Sequence, residues 1–126
     1  LNSGKYDNEN DNSNVIYLKD NEIKFLFMGD ASTVVEQDLL SKYNLKDIDF
    51  LKIGHHGSKT SSSKEFITKT NPKYSIISVG KNNSYGHPNK EVLNNLDNSK
   101  IYRTDQDGSI IFKIKNNKFK IVTWNP

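Results

Sequence analysis

The apolar residues fall into short runs separated by polar turns, and the spacing within each run predicts its element. Asn14 to Leu18, a turn at Lys19 to Glu22, and Ile23 to Met28 read as a β-hairpin. The second strand is apolar nearly throughout, which places it at the centre of a sheet. Gly29-Asp30 ends it, and Ser32 or Thr33 caps a helix to about Tyr43 with Val34, Val35, Leu39 and Leu40 on one face. Asp49 to Ile53 is a second strand running directly into Gly54-His55-His56-Gly57-Ser58-Lys59. A helix starts at Ser61 to Ser63 and runs to about Thr70, Pro72 breaks it, and Tyr74 to Val79 forms a third buried strand. Gly80 to Asn89 is a loop, and Lys90 to about Leu96 is a helix. Lys100 to Arg103 leads to a turn near Asp107-Gly108, and Ser109–Lys115 and Lys118–Thr123 form strands joined at Asn116-Asn117. Strands alternating with helices, followed by a hairpin, predict a mixed α/β layer structure.

A length of 126 residues suits one domain. Mean hydropathy is low at -0.77 and 26% of residues are charged, but the clustering of the apolar positions argues for a folded core. Residues 1–13 are rich in Asn, Asp and Ser and are expected to be a flexible segment ahead of a domain over 14–126. With no Met at its start, the chain reads as a piece of a longer protein. Without cysteine, disulfides and thiolate metal sites are excluded, so any metal must be held by His, Asp or Glu. The net charge of +3 favours anionic partners, but lysines spread along the chain suggest a diffuse field. Charge alone does not predict nucleic-acid binding. No apolar run approaches the ~20 residues that span a bilayer, and no signal-peptide pattern opens the chain, so as given it reads as soluble.

Three loops that follow apolar strands deliver polar residues: Gly29-Asp30, the His55-His56 pair, and Tyr85-Gly86-His87-Pro88. Open α/β sheets place their sites at such strand ends. A carboxylate with neutral imidazoles is a ligand set for zinc or manganese, and one carboxylate can bridge two ions. Each residue also has a plainer reading. Asp30 can be a helix cap, His87 a rigid turn, Asn83 a solvated loop residue, and Ser58 and Lys59 a lead-in to the next helix. Asp105 and Asp107 read as turn residues. A Gly-flanked His pair after a buried strand is better suited to ligation, and a hydroxyl and an ammonium beside it suit a phosphate. A serine-hydrolase reading of Ser58 fails for lack of a Gly-x-Ser-x-Gly elbow.

Taken in order, the motifs form a pattern. They are Asn10-x-x-Ser13, Phe25 to Asp30, Asp49 to Ser61, Ile77 to Gly80 with Asn83-x-Tyr85-Gly86-His87-Pro88, and Tyr102-Arg103-Thr104-Asp105-x-x-Gly108. Together they resemble the β-lactamase-like domain of ComEC-type competence proteins and its secreted relatives, over nearly the whole chain. The resemblance implies the C-terminal half of a metallo-β-lactamase αββα sandwich, a mixed sheet with helices on one face. The family's first metal motif, His-x-His-x-Asp-His or a variant, would lie upstream of Asn10, and nothing before Asn10 matches it.

By the same resemblance, Asp30 is the bridging carboxylate and one of His55 and His56 the last ligand, with His56 preferred. The other histidine would face substrate phosphate. His55 and His87 are the candidate catalytic groups, and Ser58, Lys59, Asn83 and Tyr85 the candidate substrate contacts. Asn10 and Ser13 match a motif near the place where other branches supply a histidine ligand. The implied activity is metal-dependent phosphodiester hydrolysis, in a ComEC-type setting on DNA during uptake, with one or two zinc or manganese ions in the intact domain. With only part of the ligand set, this chain alone is expected to bind metal weakly or not at all and to be inactive. The alternatives are an esterase acting on phosphorylcholine or another cell-wall phosphoester, and a non-catalytic half-domain. The implied partners are the N-terminal half of the same domain, DNA or another phosphodiester, and a second copy of the chain. The absence of cysteine and the family's habits lean toward an extracytoplasmic place, as a secreted protein or a domain of a membrane protein.

Overall fold

Alternation along each strand decides which layer its side chains join. The computed structural model describes residues 1–125. Strands β1 (Ile16–Asp20) and β2 (Ile23–Phe27) form an antiparallel hairpin turned at Asn21, whose φ of 51° an asparagine tolerates. β3 (Phe50–Lys52), β4 (Tyr74–Ile77) and β5 (Lys100–Arg103) continue the sheet in parallel, in the order β1-β2-β3-β4-β5. Helices α1 (Thr33–Lys42), α2 (Lys64–Thr70) and α3 (Lys90–Asn95) lie in the connections that parallel pairing requires. After the short α4 (Thr104–Asp107), β6 (Ser109–Lys115) and β7 (Lys118–Trp124) form a separate hairpin. The expected mixed α/β architecture is therefore present.

On one face of the sheet, Leu26, Leu51 and Ile77 are fully buried with Val35 and Leu39 of α1, Phe66 and Ile67 of α2, and Val92 of α3. On the other face lie Phe25, Phe50 and Tyr74, stacked across adjacent strands with ring centroids 4.9 and 5.1 Å apart. Phe112 and Phe119 of the β6–β7 hairpin meet Phe50 edge-on at 4.7 and 5.0 Å. The helices thus cover one face and the terminal hairpin part of the other.

Three details differ from expectation. The central strand is β3 rather than β2, because β4 and β5 add beyond it. Val34 is 56% exposed, since α1 buries its stripe through Val35 and Leu39 instead. The polar opening, expected to be flexible, is folded onto the body. Asn2 Nδ2 donates to the Asp11 and Ser13 carbonyls at 2.7 and 3.0 Å, and the Tyr6 hydroxyl donates to Asp38 of α1 at 2.7 Å. Asp11, in a 3-10 turn over Glu9–Asn12, is buried and accepts from the Ser32 amide at 2.7 Å. Low apolar content suggested disorder, but specific hydrogen bonds dock this segment instead.

Candidate functional site

Because β2, β3 and β4 run parallel, their C-terminal ends lie along one edge of the sheet, and each end delivers one polar loop. β2 ends in Gly29-Asp30. The turn is fixed from the N-terminal segment, where Ser13 Oγ accepts from the Asp30 amide at 3.0 Å. Gly29 has φ +59°, and a Cβ there would come within 2.8 Å of the Ser13 Cβ. Ser13 therefore buttresses Asp30. Asn10 is exposed, and its carbonyl accepts from the Ser13 amide at 3.1 Å.

β3 leads into a tight turn, Gly54–Gly57, with His55 and His56 both left-handed at φ 43° and 56°. The His55 amide donates to the Gly29 carbonyl at 3.0 Å, which locks this turn to the Asp30 loop. Left-handed geometry costs on the order of 1–2 kcal/mol per non-glycine residue, and it persists here in two successive histidines. The turn aims His56 at Asp30, with Nε2 3.8 Å from Asp30 Oδ1. His56 Nδ1 lies 2.7 Å from the Ser78 carbonyl at the end of β4. A carbonyl only accepts, so Nδ1 carries a proton, and in the neutral ring Nε2 is left with its lone pair directed toward Asp30. Two ligands on one tetrahedral zinc stand about 3.4 Å apart. Asp30 and His56 are near that spacing, and the Ser78 carbonyl stands where an outer partner would orient a ligating imidazole. They fit two positions of a coordination shell. Among the described residues no group of three or more His, Asp or Glu gathers closely enough to hold a metal.

The third loop brings His87 beside the pair, its ring centroid 6.0 Å from that of His55, with Tyr85 stacked on it at 5.8 Å. Asn83 shapes this loop: its Nδ2 donates to the His87 carbonyl at 2.8 Å and its Oδ1 accepts from the His87 amide at 3.0 Å. Gly57 receives the loop, accepting from the Asn89 amide at 2.8 Å. Burial lowers the His87 imidazole below its ordinary range, and His55 and His56 nearby add to that, so the neutral form is favoured. A neutral imidazole beside His55 can accept or relay a proton.

Asp30, His55, His56, His87 and Tyr85 thus gather at one edge. Ser58 does not join them. It is buried, and its hydroxyl is 3.1 Å from that of Thr60. Lys59 is exposed. Asn83 acts on the loop backbone, which gives it a positioning role. A surface hollow between α1 and α2, lined by Leu40, Tyr43 and Glu65 among others, lies away from these residues.

Sequence reasoning missed Lys52. Its side chain is half-buried within the electrostatic reach of Asp30, and the ammonium donates to the Ile53 carbonyl at 2.8 Å. Desolvation lowers its pKa, partly opposed by the Asp30 charge. A lone lysine inside the apolar run Phe50 to Ile53, just before the His pair, was the available signal.

No family model matches the chain. Over 110 residues, 86% of the chain, it is 39% identical to ComE operon protein 3 of Bacillus subtilis (strain 168). Over 91 residues it is 41% identical to competence protein ComA of Neisseria gonorrhoeae. This chain is homologous to a segment of competence proteins. Recombination protein 2 of Haemophilus influenzae is 38% identical over 88 residues. The matched segment is 69–86% of this chain but only 11–14% of those relatives, so the chain spans about one seventh of their length or less.

Proposed function

We propose that this chain is the C-terminal half of a metallo-β-lactamase-fold phosphodiesterase domain that serves DNA uptake in competence. The observation that carries the reading is the Asp30–His56 pair, 3.8 Å apart, with His56 held by the Ser78 carbonyl. Homology to competence proteins supports the setting. In this reading Asp30 and His56 hold part of a divalent metal centre, zinc or manganese, and the N-terminal half of the domain completes it. Bound metal supplies hydroxide near neutral pH and charge stabilisation at a phosphoryl oxygen. His55 and Tyr85 border the substrate, and neutral His87 receives or returns a proton.

The test is calorimetric titration of this chain with zinc and manganese, together with Asp30→Ala and His56→Ala. Weak binding that both substitutions abolish is expected, with no phosphodiester hydrolysis until the missing half of the domain is supplied. Binding indifferent to both substitutions overturns the reading.

A second reading has its own observation. Ile16, Leu18 and Phe27 lie on the hairpin-covered face of the sheet yet are 55, 51 and 41% exposed. A non-catalytic half-domain that pairs with another chain through this patch would account for them.

A further inference from the structure

The terminal hairpin concentrates charge that the linear sequence spreads out. Phe112, Ile114, Phe119 and Ile121 face the sheet, so the alternate residues face outward. The register sets Lys113 opposite Lys120 and Lys115 opposite Lys118, which puts four ammonium groups in two adjacent cross-strand rows. Among the described residues none of the four lies within ion-pair distance of a carboxylate. Residues 109–126 hold four of the chain's 18 basic residues and none of its 15 acidic ones, so the rest of the chain is slightly acidic. The whole positive balance therefore sits on this hairpin. Like charges directly opposite each other destabilise a strand pair, so folding gives no reason for the arrangement.

We propose that the outward face of the β6–β7 hairpin binds a nucleic-acid strand through its phosphates. It rests on the reading above only in taking the phosphodiester to be a nucleic acid. Lysine rows two residues apart are separated by about 6.8 Å along a strand. That is close to two rises of 3.4 Å along one DNA strand, so the rows are commensurate with a backbone. Trp124, 63% exposed on the same outward face, offers a ring on which a base can stack. An anionic membrane fits less well. The hairpin tip is Asn116-Asn117 flanked by lysines, whereas Ile111 and Trp124 sit at the base, where the hairpin joins the body. Insertion into a bilayer needs the opposite order.

The experiment is fluorescence anisotropy of a labelled single-stranded oligodeoxynucleotide with the full chain in a chelator, at several salt concentrations. Four phosphate contacts predict that a fourfold rise in salt weakens binding by about 50-fold. The variant Lys113→Gln, Lys115→Gln, Lys118→Gln, Lys120→Gln should lose that dependence and most of the affinity. The pair Lys113→Gln, Lys120→Gln should halve the logarithmic slope, and it serves alone if the fourfold variant fails to fold by circular dichroism. Trp124→Ala should weaken binding at least ~5-fold. Wild-type affinity and slope in the lysine variants overturn the proposal. So does hairpin-dependent binding to phosphatidylglycerol vesicles without binding to the oligonucleotide. Because the assay needs neither metal nor turnover, loss of the Asp30–His56 reading and loss of this one are separate results.

Discussion

Gly57 shows how closely the candidate site is built from backbone. Its φ of +80° is one that a Cβ disfavours, and a Cβ there would come within 2.6 Å of the Pro88 Cβ. Alanine at this position must displace either the His pair or the His87 loop. We expect Gly57→Ala to lower stability by roughly 1–3 kcal/mol and to shift the His55 and His87 imidazole resonances in NMR spectra. Unchanged stability and spectra would show that the two loops are not packed as described. The same scale separates residues that face the site from those that support it. Ser13 and Asn83 hold Asp30 and His87 by hydrogen bonds to their amides.

Among the elements, the N-terminal segment departs most from expectation. Its docking on α1 includes the Tyr6 hydroxyl bond to Asp38, and that bond raises the tyrosine pKa to about 12, with burial and the Asp38 charge adding to it. The sign follows from linkage. A group whose folded pKa is raised contributes stability below its ordinary value near 10, and that contribution is lost as pH rises through about 12. Ultraviolet titration of the tyrosines should therefore show a late transition that moves toward the ordinary range in Asp38→Asn. If the wild type shows no such transition, the segment is not docked. The helices are simpler: Ser32, Ser63 and Asn89 each cap one by accepting from its first-turn amides, as capping chemistry predicts.

For the whole molecule, the decisive feature is the incompletely covered sheet face. The β6–β7 hairpin shields Phe25 and Phe50, while Ile16, Leu18 and Phe27 remain open beside it. No helix among the described residues is long and apolar enough to cross a membrane. An open apolar face promotes association. Sedimentation equilibrium should show concentration-dependent self-association of this chain, which Leu18→Lys with Phe27→Lys reduces to monomer. A wild type that stays monomeric at high concentration would remove this patch as an interface.

Read as a sequence, the chain determined its element order, its caps and the location of Asp30, His55, His56 and His87 at strand ends. Those features follow from local periodicity and from turn chemistry. Tertiary structure decided the rest. Which histidine meets Asp30 depends on two left-handed residues and on the Ser78 carbonyl of a neighbouring strand. That Ser58 is buried and Asn83 structural depends on hydrogen bonds formed only when the loops fold. The clustering of four lysines depends on β6–β7 register, which puts residues separated along the chain onto one face. Pairing and register are long-range choices, and a residue's neighbours across a sheet or loop are not written in its neighbours along the chain.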